Sequence, residues 1–124
     1  MPRILLVDDD ELLRELLELT LSLEGHEVAL ASNGVEGIEL VRRERFDLAL
    51  LDLMMPFMDG VRFLRTLDAE SADPPPVIVM SAAGTGELAR EVLDAGAKAV
   101  VQKPVDIEAL LATIGGLLPG RTLG

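Results

Sequence analysis

Residues 46 to 60 read FDLALLDLMMPFMDG, and the fold turns on how this stretch is read. An apolar run of strand length, Leu48-Ala49-Leu50-Leu51, delivers the carboxylate of Asp52 to its end, and a loop punctuated by Pro56 and Gly60 follows at once. Uninterrupted rather than alternating hydrophobicity marks a strand covered on both faces, which is the pattern of parallel sheets.

The same signature recurs on either side. Apolar runs of strand length stand at Ile4–Val7, Val28–Ala31, Val77–Met80 and Ala99–Val101, separated by segments with helical spacing and turn residues. Five alternations of strand and helix with right-handed crossovers predict a doubly wound α/β sheet. The helix limits are signposted. Asp9 or Asp10 caps the first helix and Gly25 ends it, Asn33-Gly34 opens the second and Asp59-Gly60 the third, and the breaker run from Ser71 to Pro76 precedes the fourth strand. Gly96 closes the fourth helix; Pro104 stops the fifth strand before Asp106 caps the last helix.

At 124 residues the chain has the size of one domain, read as 1–118 with a short tail at 119–124, either standing alone or cut from a longer protein. It is 49% hydrophobic and 27% charged, without an apolar run near the ~18 residues of a membrane span. The N-terminal apolar stretch runs straight into acids, unlike a leader or an anchor. Zero cysteines exclude disulfide and thiol chemistry and suit a reducing, cytoplasmic setting. The net charge of −11 argues against direct binding to nucleic acid or anionic membrane; its plainest role is solubility.

In open parallel sheets, function gathers beyond the carboxyl ends of the strands. Standing there are Asp8-Asp9-Asp10, Asp52, Ser81-Ala82 and Lys103-Pro104, while the second strand ends in turn chemistry at Ser32-Asn33-Gly34. Three carboxylates in one crevice repel one another unless a cation sits among them. Oxygen-only ligation with few protein ligands is the Mg²⁺ pattern. Lys103, one of two lysines in the chain, adds a mobile point charge, and Ser81 a hydroxyl. Each residue alone has a plainer reading as a cap, a turn residue or a solvated charge. Turn chemistry does not require all of them at the ends of four different strands.

The order Asp-Asp after the first strand, Asp-x-x-Met-Pro-x-Met-Asp-Gly at 52–60, Ser-Ala at 81–82 and Lys-Pro at 103–104 resembles the receiver domain of two-component response regulators, over nearly the whole chain. The resemblance implies a flavodoxin-like (βα)5 fold with strand order 2-1-3-4-5. It implies Asp52 as phosphoacceptor, Mg²⁺ held by Asp8, Asp9, Asp52 and the backbone carbonyl of Met54, and Ser81 and Lys103 on the phosphoryl group. It further implies a cis peptide before Pro104 and a sensor histidine kinase or histidine phosphotransfer protein as donor. On this reading the chain is a signalling switch, not an enzyme acting on other molecules, catalysing only its own phosphorylation and dephosphorylation. The face made by the fourth helix, fifth strand and fifth helix, through which the family often forms homodimers, shows no deciding residue.

Two other classes stay in view. A haloacid-dehalogenase type hydrolase needs a second acid two positions after the nucleophile, where this chain has Met54. A receiver-like interaction module that is never phosphorylated would keep the fold without turnover. An internal histidine donor is excluded by position, since the one histidine, His26, falls in the turn before the second strand and reads as a solvated turn residue.

The chain departs from the family's pattern where an aromatic usually stands three positions before the lysine; here it has Val100, and its aromatics are Phe46, Phe57 and Phe63 alone. A switch drawing Ser81 inward is then expected to signal through the backbone of 82–88. Met54 and Ala83, flanking the phosphoryl position, are apolar and do not orient water, which predicts a long-lived aspartyl phosphate. In the first helix, Leu12, Leu16, Leu19 and Leu23 form one stripe and Leu13, Leu17 and Leu21 widen the apolar arc to roughly 200°. A broad buried face is the favoured reading; a docking patch for the donor is the other.

Overall fold

The computed structural model describes residues 2–55, 57–82 and 86–118. Five strands, β1 (Arg3–Val7), β2 (Glu27–Ala31), β3 (Leu48–Asp52), β4 (Val77–Ser81) and β5 (Ala99–Gln102), alternate with α1 (Glu11–Leu23), α2 (Gly34–Arg43), α3 (Gly60–Glu70), α4 (Glu87–Asp94) and α5 (Ile107–Leu117). All strand pairs are parallel and the order is β2-β1-β3-β4-β5, the expected doubly wound sheet.

The strand order explains the burial. β3 and β4 are buried at every residue and β1 at all but its first, whereas the edge strands β2 and β5 are only half covered. Alternate residues of the inner strands feed two cores. Leu5, Val7, Ala49, Leu51, Val77 and Val79 meet Ile38, Phe63, Leu64, Leu67 and Val92 from α2, α3 and α4. Ile4, Leu6, Leu48, Leu50, Ile78 and Met80 meet Leu17 and Leu21 of α1 and Leu110 and Ile114 of α5. Each such side chain removed from water stabilises the fold by about 1.5–3 kcal/mol before ordering costs, so the sheet is the rigid part of the molecule.

Helix ends follow the sequence signals. Asp10 caps α1, accepting from the amides of Leu12 and Leu13; Asn33, Asp59 and Asp106 cap α2, α3 and α5 in the same way. α1 terminates on Gly25 at φ +92°, with Gly25 N–H donating to Ser22 O and His26 N–H to Leu21 O. This is the paired hydrogen-bond pattern of a Schellman motif, and it turns the chain back over the last helical turn. The motif corrects one expectation. His26 is not a solvated turn residue; it is 6% exposed, because its position two residues past the cap is folded back against the body.

The favoured reading of α1 is also overturned. Leu17 and Leu21 are fully buried, but Leu12, Leu16, Leu19 and Leu23 are 78%, 51%, 59% and 77% exposed. The apolar arc spans two stripes, and a helix lying against a sheet covers only one of them.

Candidate functional site

β1 and β3 are neighbours, yet their following helices pack on opposite faces of the sheet, so a crevice opens beyond their carboxyl ends. Asp8 follows β1, Asp52 is the last residue of β3, Ser81 ends β4 and Lys103 follows β5. The sheet register fixes these ends. Asp52 pairs with Met80 and Ser81 with Gln102, Leu53 N–H donates to Met80 O at 2.9 Å, and Lys103 N–H donates to Ser81 O at 2.9 Å.

The side chains converge. One oxygen from each of Asp8, Asp9 and Asp52 lies within 4.8 Å of the others. Lys103 Nζ stands 3.4 Å from Asp8 Oδ2 and 3.3 Å from Asp52 Oδ1. Asp8 has no solvent exposure, Asp52 is 6% exposed and Ser81 2%, while Asp9 and Ala82 are open to solvent. The Lys103–Pro104 peptide is cis. Val100 is half-buried and packs with the α2–α3–α4 core. Ala83, Pro56, part of the 82–88 loop and the tail from 119 lie outside the described residues.

Burial, then the charge of Asp8, push the Asp52 carboxyl up to about 6 from its ordinary 3.8, against the opposing pull of Lys103. Burial alone would lower the Lys103 ammonium, but Asp52 and Asp8 outweigh it and hold its pKa above the usual lysine value. One ammonium among three acids leaves the cluster short of positive charge. Three hard oxygen donors at this spacing, open on the Asp9 side, fit a divalent cation that keeps part of its water shell, which is the behaviour of Mg²⁺.

The loop after Asp52 is tightly built. Gly60 N–H donates to Leu53 O at 2.9 Å, and a Cβ at Gly60 would lie 3.1 Å from Leu53 Cα and 2.9 Å from Leu53 Cδ1. Only glycine lets α3 begin this close to the end of β3. Met54 and Phe57 are 67% and 82% exposed, and Phe57 holds φ +72°, a conformation uncommon for a bulky residue.

Two supports went unread in the sequence. Arg14 Nη1 donates to the carbonyl of Asp8 at 2.7 Å, and the Asp10 amide donates to Asp8 Oδ1 at 2.8 Å. Together they fix the backbone and side chain of the most buried acid. The sole hint was that Arg14 is the one basic residue of a leucine- and glutamate-rich helix.

The chain matches the response regulator receiver domain family over residues 4–115. It belongs to that family. This receiver is 44% identical over 116 residues to the response regulator MprA of Mycobacterium leprae (strain TN), covering 94% of the chain and 50% of that protein. It is 41% identical, with the same coverage, to MprA of Mycobacterium sp. (strain KMS). The receiver thus spans about half the length of the curated relatives it matches. Among solved structures it is similar to the chemotaxis response regulator CheY4 of Vibrio cholerae (TM-score 0.89, 30% identity, 95% of this chain and 99% of that one). It is similar also to the Francisella response regulator 1452 receiver domain (TM-score 0.88, 28% identity, 94% and 96%). No helix of the described receiver is long and apolar enough to cross a membrane.

Proposed function

We propose that this receiver takes a phosphoryl group from the phosphohistidine of a sensor histidine kinase or histidine phosphotransfer protein onto Asp52, and thereby changes the surface it presents to a downstream partner. The observation that carries the reading is the position of the Asp52 carboxylate, buried at a strand end, 3.3 Å from Lys103 Nζ and sharing a 4.8 Å cluster with Asp8 and Asp9.

Asp8, Asp9 and Asp52 would hold Mg²⁺, joined by the carbonyl of Met54. When bound, the ion supplies positive charge to the transferring phosphoryl oxygens. Asp52 is the nucleophile. Its carboxylate oxygen forms the new O–P bond as the P–N bond to the donor imidazole breaks, and the bonding pair leaves with the imidazole nitrogen. Catalysis of such a transfer is mostly positioning and neutralisation of charge on the equatorial oxygens. The sheet holds Asp52 in place, Lys103 turns its ammonium toward an incoming phosphoryl oxygen, and Ser81 provides a hydroxyl that follows it. The product is an aspartyl phosphate. Met54, apolar and exposed, gives an attacking water no orientation, which favours a slow loss of the group.

The test is intact mass after incubation with Mg²⁺ and acetyl phosphate or phosphoramidate. Wild type should gain one phosphoryl mass and Asp52→Asn none; no gain in wild type, or equal gain in both, overturns the assignment.

A further inference from the structure

We propose that Arg14 is a positioning residue for Asp9: by holding the peptide that joins Asp8 to Asp9, it aims the exposed acid into the cluster and sets the affinity for a divalent ion. This role rests on the metal-binding half of the proposed function and on no step of phosphoryl transfer.

Asp8 is held at every polar atom. Its N–H donates to Ala31 O at 3.1 Å, its carbonyl accepts from Arg14 Nη1 at 2.7 Å, its Oδ1 accepts from the Asp10 amide at 2.8 Å, and its Oδ2 lies 3.4 Å from Lys103 Nζ. Asp9 is the open member of the cluster, yet its carboxylate comes within 4.8 Å of those of Asp8 and Asp52. Its direction is set by the backbone on either side. A peptide unit is planar, so a hydrogen bond to its carbonyl or its amide restrains the orientation of the whole unit. Arg14 holds the unit before the Asp9 Cα, and Asp8 Oδ1, through the Asp10 amide, holds the unit after it. With both units pinned, φ and ψ of Asp9 are fixed, and with them the direction in which its side chain leaves. The clamp is anchored in the helix, because Asp10 caps α1 and its carbonyl accepts from the Arg14 N–H at 2.9 Å.

Two choices made by the guanidinium point to position rather than charge. Glu11 and Glu18 stand three and four residues away on the same helix, at ordinary pairing distance, but among the described residues Arg14 makes an ion pair with neither and reaches to the Asp8 carbonyl. By taking a carbonyl and not a carboxylate, it also leaves the acid oxygens to the ion. The charge itself opposes metal binding, since a cation beside a cation site repels. The two roles therefore have opposite signs. If Arg14 acted only as a charge, removing it would tighten Mg²⁺ binding; if it positions Asp9, removing it weakens that binding.

The test is titration of the full chain with Mg²⁺ at constant ionic strength, followed through amide chemical shifts, in wild type, Arg14→Met and Arg14→Lys. Groups that orient metal ligands commonly change affinity 10–100-fold, so Arg14→Met should bind Mg²⁺ about tenfold more weakly, and Arg14→Lys, which keeps a donor of similar reach, should recover to within about threefold of wild type. Without metal, ¹⁵N relaxation should show the Asp9 amide losing its order in Arg14→Met, from about 0.85 to below about 0.7, while the amides of β1 stay rigid. Binding in Arg14→Met as tight as in wild type or tighter, or an Asp9 amide that stays ordered, overturns the proposal. Should Arg14→Met fail to fold, Arg14→Gln, uncharged and shorter, carries the same two expectations. Wild type without Mg²⁺-dependent shifts up to about 100 mM overturns the metal site and this role together, before any variant is compared. Metal-dependent shifts without phosphorylation at Asp52 would instead remove phosphoacceptance and leave the role of Arg14 standing.

Discussion

The two ends of the sheet both carry charge, and they handle it in opposite ways. At the amino end, the Arg3 guanidinium meets Glu44 and lies 3.8 Å from Glu27, its amide donates to Asp47, and it stacks 5.1 Å over the Phe46 ring. Three acids crowd one guanidinium here too, but Arg3, Glu27 and Glu44 are a third or more exposed, so water screens the excess, and a concavity of about 600 Å³ opens beside them. At the carboxyl end, three acids share one lysine and two of the acids are buried. The amino end leaves its excess of acid to solvent; the carboxyl end holds its excess in a buried site, which on the proposed function a cation and a phosphoryl group would complete. Burial of the imbalance, rather than the presence of ion pairs, distinguishes the carboxyl end.

The comparison breaks most visibly at Lys103. Lys103→Met should slow phosphorylation by acetyl phosphate about 10²-fold or more, since it removes the positive charge facing the transferred group; a loss below threefold by stopped-flow would mean that Lys103 only pairs with its acids. Asp52→Asn comes next. With its folded value raised to about 6 from 3.8, the Asp52 carboxyl binds protons more tightly folded than unfolded, so stability falls as pH climbs from about 3.8 to about 6. Without divalent ions, Asp52→Asn should therefore gain about 3 kcal/mol at pH 7.5 and nothing below pH 3.5, measured by urea denaturation at both pH values. A gain independent of pH would place its origin elsewhere.

Smaller effects sharpen the contrast. Mg²⁺ at a hundred times its dissociation constant should stabilise wild type at pH 7.5 by about 2.7 kcal/mol, and Asp8→Asn should abolish most of that increment in a thermal melt. At the other end, Arg3→Ala should cost about 1 kcal/mol or less, fading in high salt, because exposed pairs are weak and screened. If Arg3→Ala changed the phosphorylation rate, the two ends would not be independent.

Much of this was legible in the chain. The five apolar runs stated the sheet because parallel strands are buried on both faces, and caps such as Asp10, Asn33, Asp59 and Asp106 act through neighbours only two or three residues away. The converging acids could be foreseen because strand ends in a parallel sheet share one edge. What stayed hidden depends on direction in space. A helical wheel shows that α1 has two leucine stripes but not which one meets the sheet, and the more regular stripe turned out to be exposed. His26 looked solvated because a turn residue's burial depends on how the Schellman motif folds back, which composition does not encode. Arg14 reaches a carbonyl six residues earlier, a contact with no sequence period.

The amide of Leu53 donates to Met80 and that of Lys103 to Ser81, so the sheet's hydrogen-bond ladder extends past both β3 and β5. Leu53 directly follows Asp52, the proposed nucleophile, and Lys103 carries the ammonium itself. Hydrogen exchange at these two amides should consequently be as slow as that of the central strands, reporting global unfolding rather than local breathing. If Asp52 is phosphorylated as proposed, the receiver can reshape what surrounds it without loosening the anvil on which the bond is made.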